Sequence, residues 1–395
     1  MWRAVAQGIL ETAASTFLLL IAVRWYQAGA VAKALIAAGN SVGLLLTPLV
    51  VTFVTRRRLA PSEAAFRLLM IGSVAFATPA VISWLPVYVV GAVLGMTMTA
   101  AVIPLLTQMY QENYPAERRG WLFSRTFMLR ILTAALFAQL AGWYLTGHVE
   151  RFRVLLLAFA LASAAGAVLL RRFPTTPIAD AGGDHPLRAL RFVRDDVVFR
   201  RTLVAWMLMG FANLMMLPLR VEYLAHERYG LHLPADQIAL YTSVVPNLAR
   251  LVMSPVWGRL FDRMNFFALR FALNVGFIVG ILSFFTTNST TGLVCGAVFY
   301  GISNAGGDVA WSLWVTKFAP PDRVADYMSV HTSFTGLRGV VAPVVAFQLA
   351  GVVALPVLGW ISAGLIGAAC LVLVPEMAVR REARPAAALV EEVSE

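Results

Sequence analysis

Charge is what this chain has little of. Only 13% of its 395 residues are Asp, Glu, Lys or Arg, about half the share of an ordinary soluble domain. Most of its surface must therefore face something other than water. Lysine is nearly missing: Lys33 and Lys317 are the only two, and neither follows a glycine-rich turn. That excludes a phosphate-binding loop and, with it, an ATP-driven pump. The two cysteines, Cys295 and Cys370, both lie in apolar runs and read as small core residues rather than a disulfide or metal pair. Five scattered histidines, with no His-Glu-x-x-His and no Gly-x-Ser-x-Gly, argue against a metal site, a cofactor or an enzyme. No basic soluble module is present to hold nucleic acid, so the net charge of +11 must have another use.

What the chain does have is apolar length. It is 59% hydrophobic, with a mean hydropathy of +0.74. Its apolar runs approach the ~20 residues that span a bilayer as a helix. Twelve spans can be drawn, about Val5–Trp25, Ala30–Val54, Ala64–Leu85, Val87–Tyr110, Trp121–Leu145, Phe152–Leu170, Thr202–Leu219, Gln237–Leu260, Phe266–Phe285, Gly292–Val315, Tyr327–Leu349 and Val352–Val374. The first contains Glu11, which a cleaved signal core rarely carries, so it is expected to be retained.

The arginines supply the orientation. They crowd the loops after the even-numbered spans (Arg56, Arg57, Arg58; Arg171 and Arg172 through Arg200 and Arg201; Arg259 and Arg263) and the segment after Pro375. Both termini are therefore expected on the cytoplasmic side of the cell's inner or plasma membrane. Four regions follow: a six-helix bundle over 1–172, a cytoplasmic linker over 173–201, a second bundle over 202–375 and a disordered tail over 376–395. Within the linker, Leu187–Arg201 mixes apolar residues with arginine and suggests a short basic helix on the inner leaflet.

The halves repeat each other. Asn40, Thr47 and Pro48 in span 2 match Asn247, Ser254 and Pro255 in span 8. Gly91-Ala92-Val93 leads to Pro115, Glu117 and Arg118, and Gly296-Ala297-Val298 leads at the same spacing to Pro320, Asp322 and Arg323. Gly8-x-x-Glu11 matches Gly210-x-x-Asn213, and Leu129-Arg130 matches Leu337-Arg338. The matches keep their order and nearly their offset, as an internal duplication requires.

Together with Gly258-Arg259-Leu260-Phe261-Asp262-Arg263 after span 8, these features resemble the major facilitator superfamily over nearly the whole chain. The corresponding first copy is degraded, with Val51, Thr55 and Arg56 in the matching places. The Gly-Pro-rich antiporter signature of span 5 is also missing. The resemblance implies an all-α integral membrane protein, its twelve helices in two pseudo-symmetric six-helix bundles. It implies a monomeric secondary transporter in membrane lipid that moves a small solute by alternating access. The solute is expected to be anionic or polar, with a proton as candidate co-substrate. Efflux of amphipathic compounds is the alternative, and a non-transporting receptor or scaffold of the same fold is a further one. Gly258, Asp262, Arg263, Glu117, Arg118, Asp322 and Arg323 are implied to latch one conformation.

Charge in the middle of a span is costly and marks candidate sites. Arg130 and Arg338 lie deep in spans 5 and 11, and the resembled fold implies that they face each other across a central cavity. Arginine forks onto carboxylate or phosphate, so a substrate site between them is expected, with Asn213, Asn304 and Trp311 as further lining. The competing reading ties the arginines to Glu11 or Asp308 for structure, and both readings stand at this point. Glu11, Asp308 and His331 are the candidates for counter-charge or proton coupling. Arg250, Asn247 and Asn40 are expected to form hydrogen bonds between the halves.

Overall fold

The computed structural model describes residues 2–114, 119–177, 191–317, 319 and 324–378. Among them there is no β-strand, and the helices run α1 Trp2–Arg24, α2 Ala30–Arg56, α3 Pro61–Val81, α4 Leu85–Tyr110, α5 Arg119–Leu145, α6 Phe152–Arg171, α7 Val197–Ala225, α9 Phe266–Thr286, α10 Thr290–Leu313, α11 Val324–Leu349 and α12 Leu355–Ala378. Between α7 and α9, α8 is composite: Ala235–Ala239, a π-helical turn Leu240–Val244, and Val245–Arg263. A second π turn, Ala13–Phe17, interrupts α1.

Ten of these helices are long and apolar enough to cross a membrane by length and composition alone. The two that fall short are α8 and α10, which carry Arg250, Arg259, Asp262, Arg263 and Asp308. They are covered instead by packing against each other. Within hydrocarbon every backbone polar group must be satisfied, and helices do so internally. Prolines 48, 79, 218, 255, 343 and 375 sit inside helices, where neighbouring helices can re-satisfy what each proline frees.

Capping sets several starts. The Asp196 carboxylate accepts from Phe199 N at 2.9 Å and starts α7 at Val197, ahead of the expected Thr202. The basic helix expected over Leu187–Arg201 is correspondingly short. Its described part is a single turn, Arg191–Asp195, and residues 196–201 belong to the cap and first turn of α7. The tail expected over 376–395 lies outside the described residues from 379 onward.

In the first half α3 packs on α6 and α4, α4 on α2, and α1 on α5 and α6; in the second, α9 packs on α12 and α10, α10 on α8, and α7 on α12 and α11. The halves meet through α2 with α11 and through α5 with α8. These two pairs exchange under the repeat. Short connections alternate the helix directions, so α1 begins and α12 finishes at one end of the bundle, here the terminal end.

The bonds that join the halves are concentrated toward the opposite end. Arg24 donates to the carbonyls of Ala225 at 2.6 Å and Leu233 at 2.8 Å. Lys33 of α2 binds Glu222 of α7 at 2.6 Å, both buried. Thr146 bonds Asp236 at 2.9 Å. The two π turns face each other, Thr16 on Thr242 at 2.8 Å and Ser15 on Ser243 at 3.1 Å.

Candidate functional site

One turn before Glu11, Gly8 presses α1 onto α5. A Cβ there would meet Thr133 Cβ at 2.8 Å and Ala134 N at 3.1 Å. This close approach brings Glu11 to Arg130, whose Nε stands 3.1 Å from Glu11 Oε2. The other carboxylate oxygen of Glu11 crosses between the halves to Arg250 Nη1 of α8, at 2.6 Å. Arg250 Nε in turn donates to Asp308 Oδ2 of α10 at 2.6 Å. Four charges from four helices thus form one chain, Arg130–Glu11–Arg250–Asp308.

Phe127, one turn before Arg130 on α5, underlies both guanidiniums, 4.4 Å from that of Arg130 and 5.1 Å from that of Arg250. Aromatic faces attract such cations where water is scarce. The Arg250 side chain is only 8% exposed, whereas Glu11 and Asp308 keep 26% and 30%. The cation is therefore enclosed and the two acids stay reachable. Nearby, Arg3 donates to Gln7 at 2.8 Å and to the Tyr110 hydroxyl, and it lies within electrostatic reach of Arg130. The group as a whole leans positive.

Arg130 and Arg338 are not brought together. Arg338 donates to the carbonyl of Trp206 on α7 and lies against Gly210. The repeat supplies the reason. Where α1 has Glu11 to hold Arg130, α7 has Asn213, which hydrogen-bonds Tyr300 instead. Without a carboxylate in the equivalent place, Arg338 turns inward to the backbone of its own half.

His331 also lies away from the acids. It is fully buried, with ring centroids 5.3 Å from Trp206, 5.1 Å from Trp314 and 5.7 Å from Trp311. Asn304 is one turn from Asp308 and on the same face of α10. Asn213 lines a small cavity with Met216, Arg220, Phe284 and Tyr300. Gly258, Asp262 and Arg263 end α8, and the last two are exposed with no ion pair among the described residues. Glu117, Arg118, Asp322 and Arg323 lie outside the described residues.

Arg250 was expected at an interface between halves, and it is, but as the centre of the charge chain. An arginine inside a predicted span is itself the signal. Phe127 carries only its i, i+3 spacing to Arg130 as a clue, too common a pattern to single out.

A sequence model described as the Major Facilitator Superfamily matches residues 63–343 and 223–392. No curated protein matches the chain. Among solved structures the chain is similar to the nucleoside transporter NupG (TM-score 0.74, 12% identity, covering 96% of this chain and 98% of that one). It is also similar to the xylose transporter XylE from E. coli (0.69, 15%, 94% and 96%). A third likeness is to the human organic anion transporter MFSD10 (0.67, 16%, 94% and 98%). At these identities the likeness is one of fold.

Proposed function

The chain belongs to the major facilitator superfamily, and from that premise we propose that it is a secondary transporter carrying a small anionic or polar solute by alternating access. The observation that carries this reading is the Glu11–Arg250 bond, which joins the two halves deep inside the helices at 2.6 Å. A salt bridge there has to be rearranged whenever the halves rock against each other. A solute that competes for it couples its own binding to that motion.

The chemistry favours an anion. Arg130 offers Glu11 its Nε at 3.1 Å with poor hydrogen-bond alignment, which leaves its Nη groups to fork onto a carboxylate or phosphate. Such a solute loosens Arg130 from Glu11. The carboxylate of Glu11, relieved of one cation, becomes the natural place to take up a proton. Asn304, one turn from Asp308, is suited to hydrogen-bond the solute's neutral part. A symporter for D-xylose and protons is among the structures of like fold, in keeping with proton coupling here.

The arginine-rich loops favour both termini in the cytoplasm, with the protein in the inner or plasma membrane, and one chain supplies both halves, as a working monomer requires. Residues 1–172 and 202–375 then serve as the rocking units. In that orientation the Arg24, Lys33 and Thr146 bonds clasp the outer end, which supports an inward-facing reading of this conformation. Asp262 and Arg263, exposed and without an ion pair among the described residues, fit a latch released in that state.

The test is thermal stabilisation of the purified protein by a library of small carboxylates, phosphates, sugars and nucleosides, followed by counterflow of any hit in proteoliposomes. The expected result is a hit among the anions, with counterflow abolished in Arg130→Met and pH-gradient dependence lost in Glu11→Gln. Undiminished counterflow in Arg130→Met would overturn the site. A receptor or scaffold of the same fold would bind without counterflow.

A further inference from the structure

The second half contains cations that no acid among the described residues reaches. Glu376 pairs with Arg201 at 3.0 Å, Glu222 with Lys33, and Asp308 with Arg250. Asp196 caps α7 and accepts from the Tyr327 hydroxyl at 3.2 Å, and Asp236 is bound to Thr146. Arg270, near the start of α9, and Arg338, on α11, have no carboxylate partner among the described residues.

These two arginines converge on one residue. The Arg270 guanidinium lies 3.8 Å over the ring of Trp206, and Arg338 donates to the carbonyl of the same Trp206. Arg270 is 2% exposed, and both its Nη1 and Nη2 are buried without a hydrogen-bond partner. Arg338 Nε is likewise buried and unpartnered. His331 is 0% exposed, with neither ring nitrogen bonded, and lies within electrostatic reach of both arginines. The indole N–H of Trp206 and the hydroxyl of Thr335 add two more unpartnered polar groups.

The magnitudes decide what this cluster needs. A cation over an aromatic face recovers only a fraction of what its burial costs. A buried ion is strongly disfavoured unless it is paired, and here two adjoining cations also repel each other. Stacking on Trp206 therefore falls short. Nearly all the free groups are donors, which suits an anion and not a cation. The full burial of Arg270 and His331 admits only a small one.

We propose that Arg270, Arg338, His331, Trp206 and Thr335 form a binding site for a small inorganic anion, a halide or a tetrahedral oxyanion, inside the second bundle. The site is separate from the Arg130–Glu11–Arg250–Asp308 chain and tethers α7, α9 and α11 to one another. Arg338, only partly buried, is where the anion enters.

The experiment is a melting series on the full-length protein in detergent at constant ionic strength, replacing sodium gluconate by chloride, sulfate or phosphate. The melting temperature of the wild type is expected to rise saturably with at least one inorganic anion and not with gluconate. The anion that acts identifies the site as one for halide or for oxyanion. Arg270→Met is expected to lose at least tenfold in apparent affinity for that anion, and to melt higher than the wild type in gluconate, because an unpaired buried charge is gone. Trp206→Phe, which keeps a ring under Arg270 but deletes the indole N–H, is expected to weaken binding if the methionine variant does not fold. Identical melting of the wild type in gluconate and every inorganic anion would overturn the site, and so would a wild-type response in Arg270→Met.

Discussion

Arg338 lies against the bare Cα of Gly210, so close that a methyl group added there would overlap its guanidinium. The repeat places Gly8 and Arg130 in the same relation, but there Gly8 packs on the backbone and not on the arginine side chain. The difference traces to one exchange, Glu11 in α1 for Asn213 in α7.

Gly210→Ala is therefore expected to lose stability by about 1–3 kcal/mol, the usual cost of overpacking. The double variant Gly210→Ala, Arg338→Met should recover much of that loss. Melting of the four proteins in the cycle measures it, and additive effects would show that the glycine and the arginine are independent.

Arg250→Met removes the centre of the charge chain and leaves Glu11 and Asp308 without their shared cation. Breaking a buried pair from one side costs about 3–5 kcal/mol. Because both acids are partly exposed, the lower part of that range is expected here, together with loss of transport. Lysine in place of Arg250 should rescue stability better than transport, since an ammonium lacks the fork that spans two carboxylates.

Much of this architecture is legible in the residues themselves. Apolar runs separated by arginine-rich loops predict the membrane helices, and ordered matches such as Asn40 with Asn247 predict the two halves. The partners of Arg130 and Arg338 are less legible. Equivalence under the repeat says that two backbones correspond, whereas a side chain turns toward whatever partner is in reach, and that partner had changed from Glu11 to Asn213. The π turns also leave no mark, since one extra residue in a helix disturbs an all-apolar pattern very little. The spans hardest to recognise from hydropathy, α8 and α10, are the ones that carry Arg250 and Asp308. Polarity there is a cost that only the interior of the bundle makes tolerable.

Lys33→Ala should unclasp the outer end by leaving the buried Glu222 only Arg228 of its own half, at 3.9 Å, as a cation. Ser243, buried in the face between the halves, serves as the reporter. With Cys295 and Cys370 replaced, maleimide labelling of Ser243→Cys from outside the cell is expected to quicken severalfold in the Lys33→Ala background. Equal labelling rates would mean that the ion pair does not hold that end closed.

Asp262→Asn changes an exposed side chain with no ion-pair partner among the described residues. Its effect on melting should stay within about 0.5 kcal/mol, as for ordinary surface positions. With Asp262 latching the other conformation, as proposed, transport should nevertheless slow. A large drop in melting temperature would show that Asp262 already bears on the conformation described here.

In the proposed rocking motion, the facing π turns of α1 and α8, with Thr16 on Thr242, are placed as a fulcrum. Glu11 lies about 7 Å along α1 from Thr16 and Trp2 about 21 Å, at the helical rise of ~1.5 Å per residue. Tilting α1 about that contact multiplies displacement roughly threefold between the salt bridge and the helix end. An ångström of slack at Glu11 and Arg250 becomes a mouth about 3 Å wider at the terminal end, so a small solute has leverage far beyond its own size.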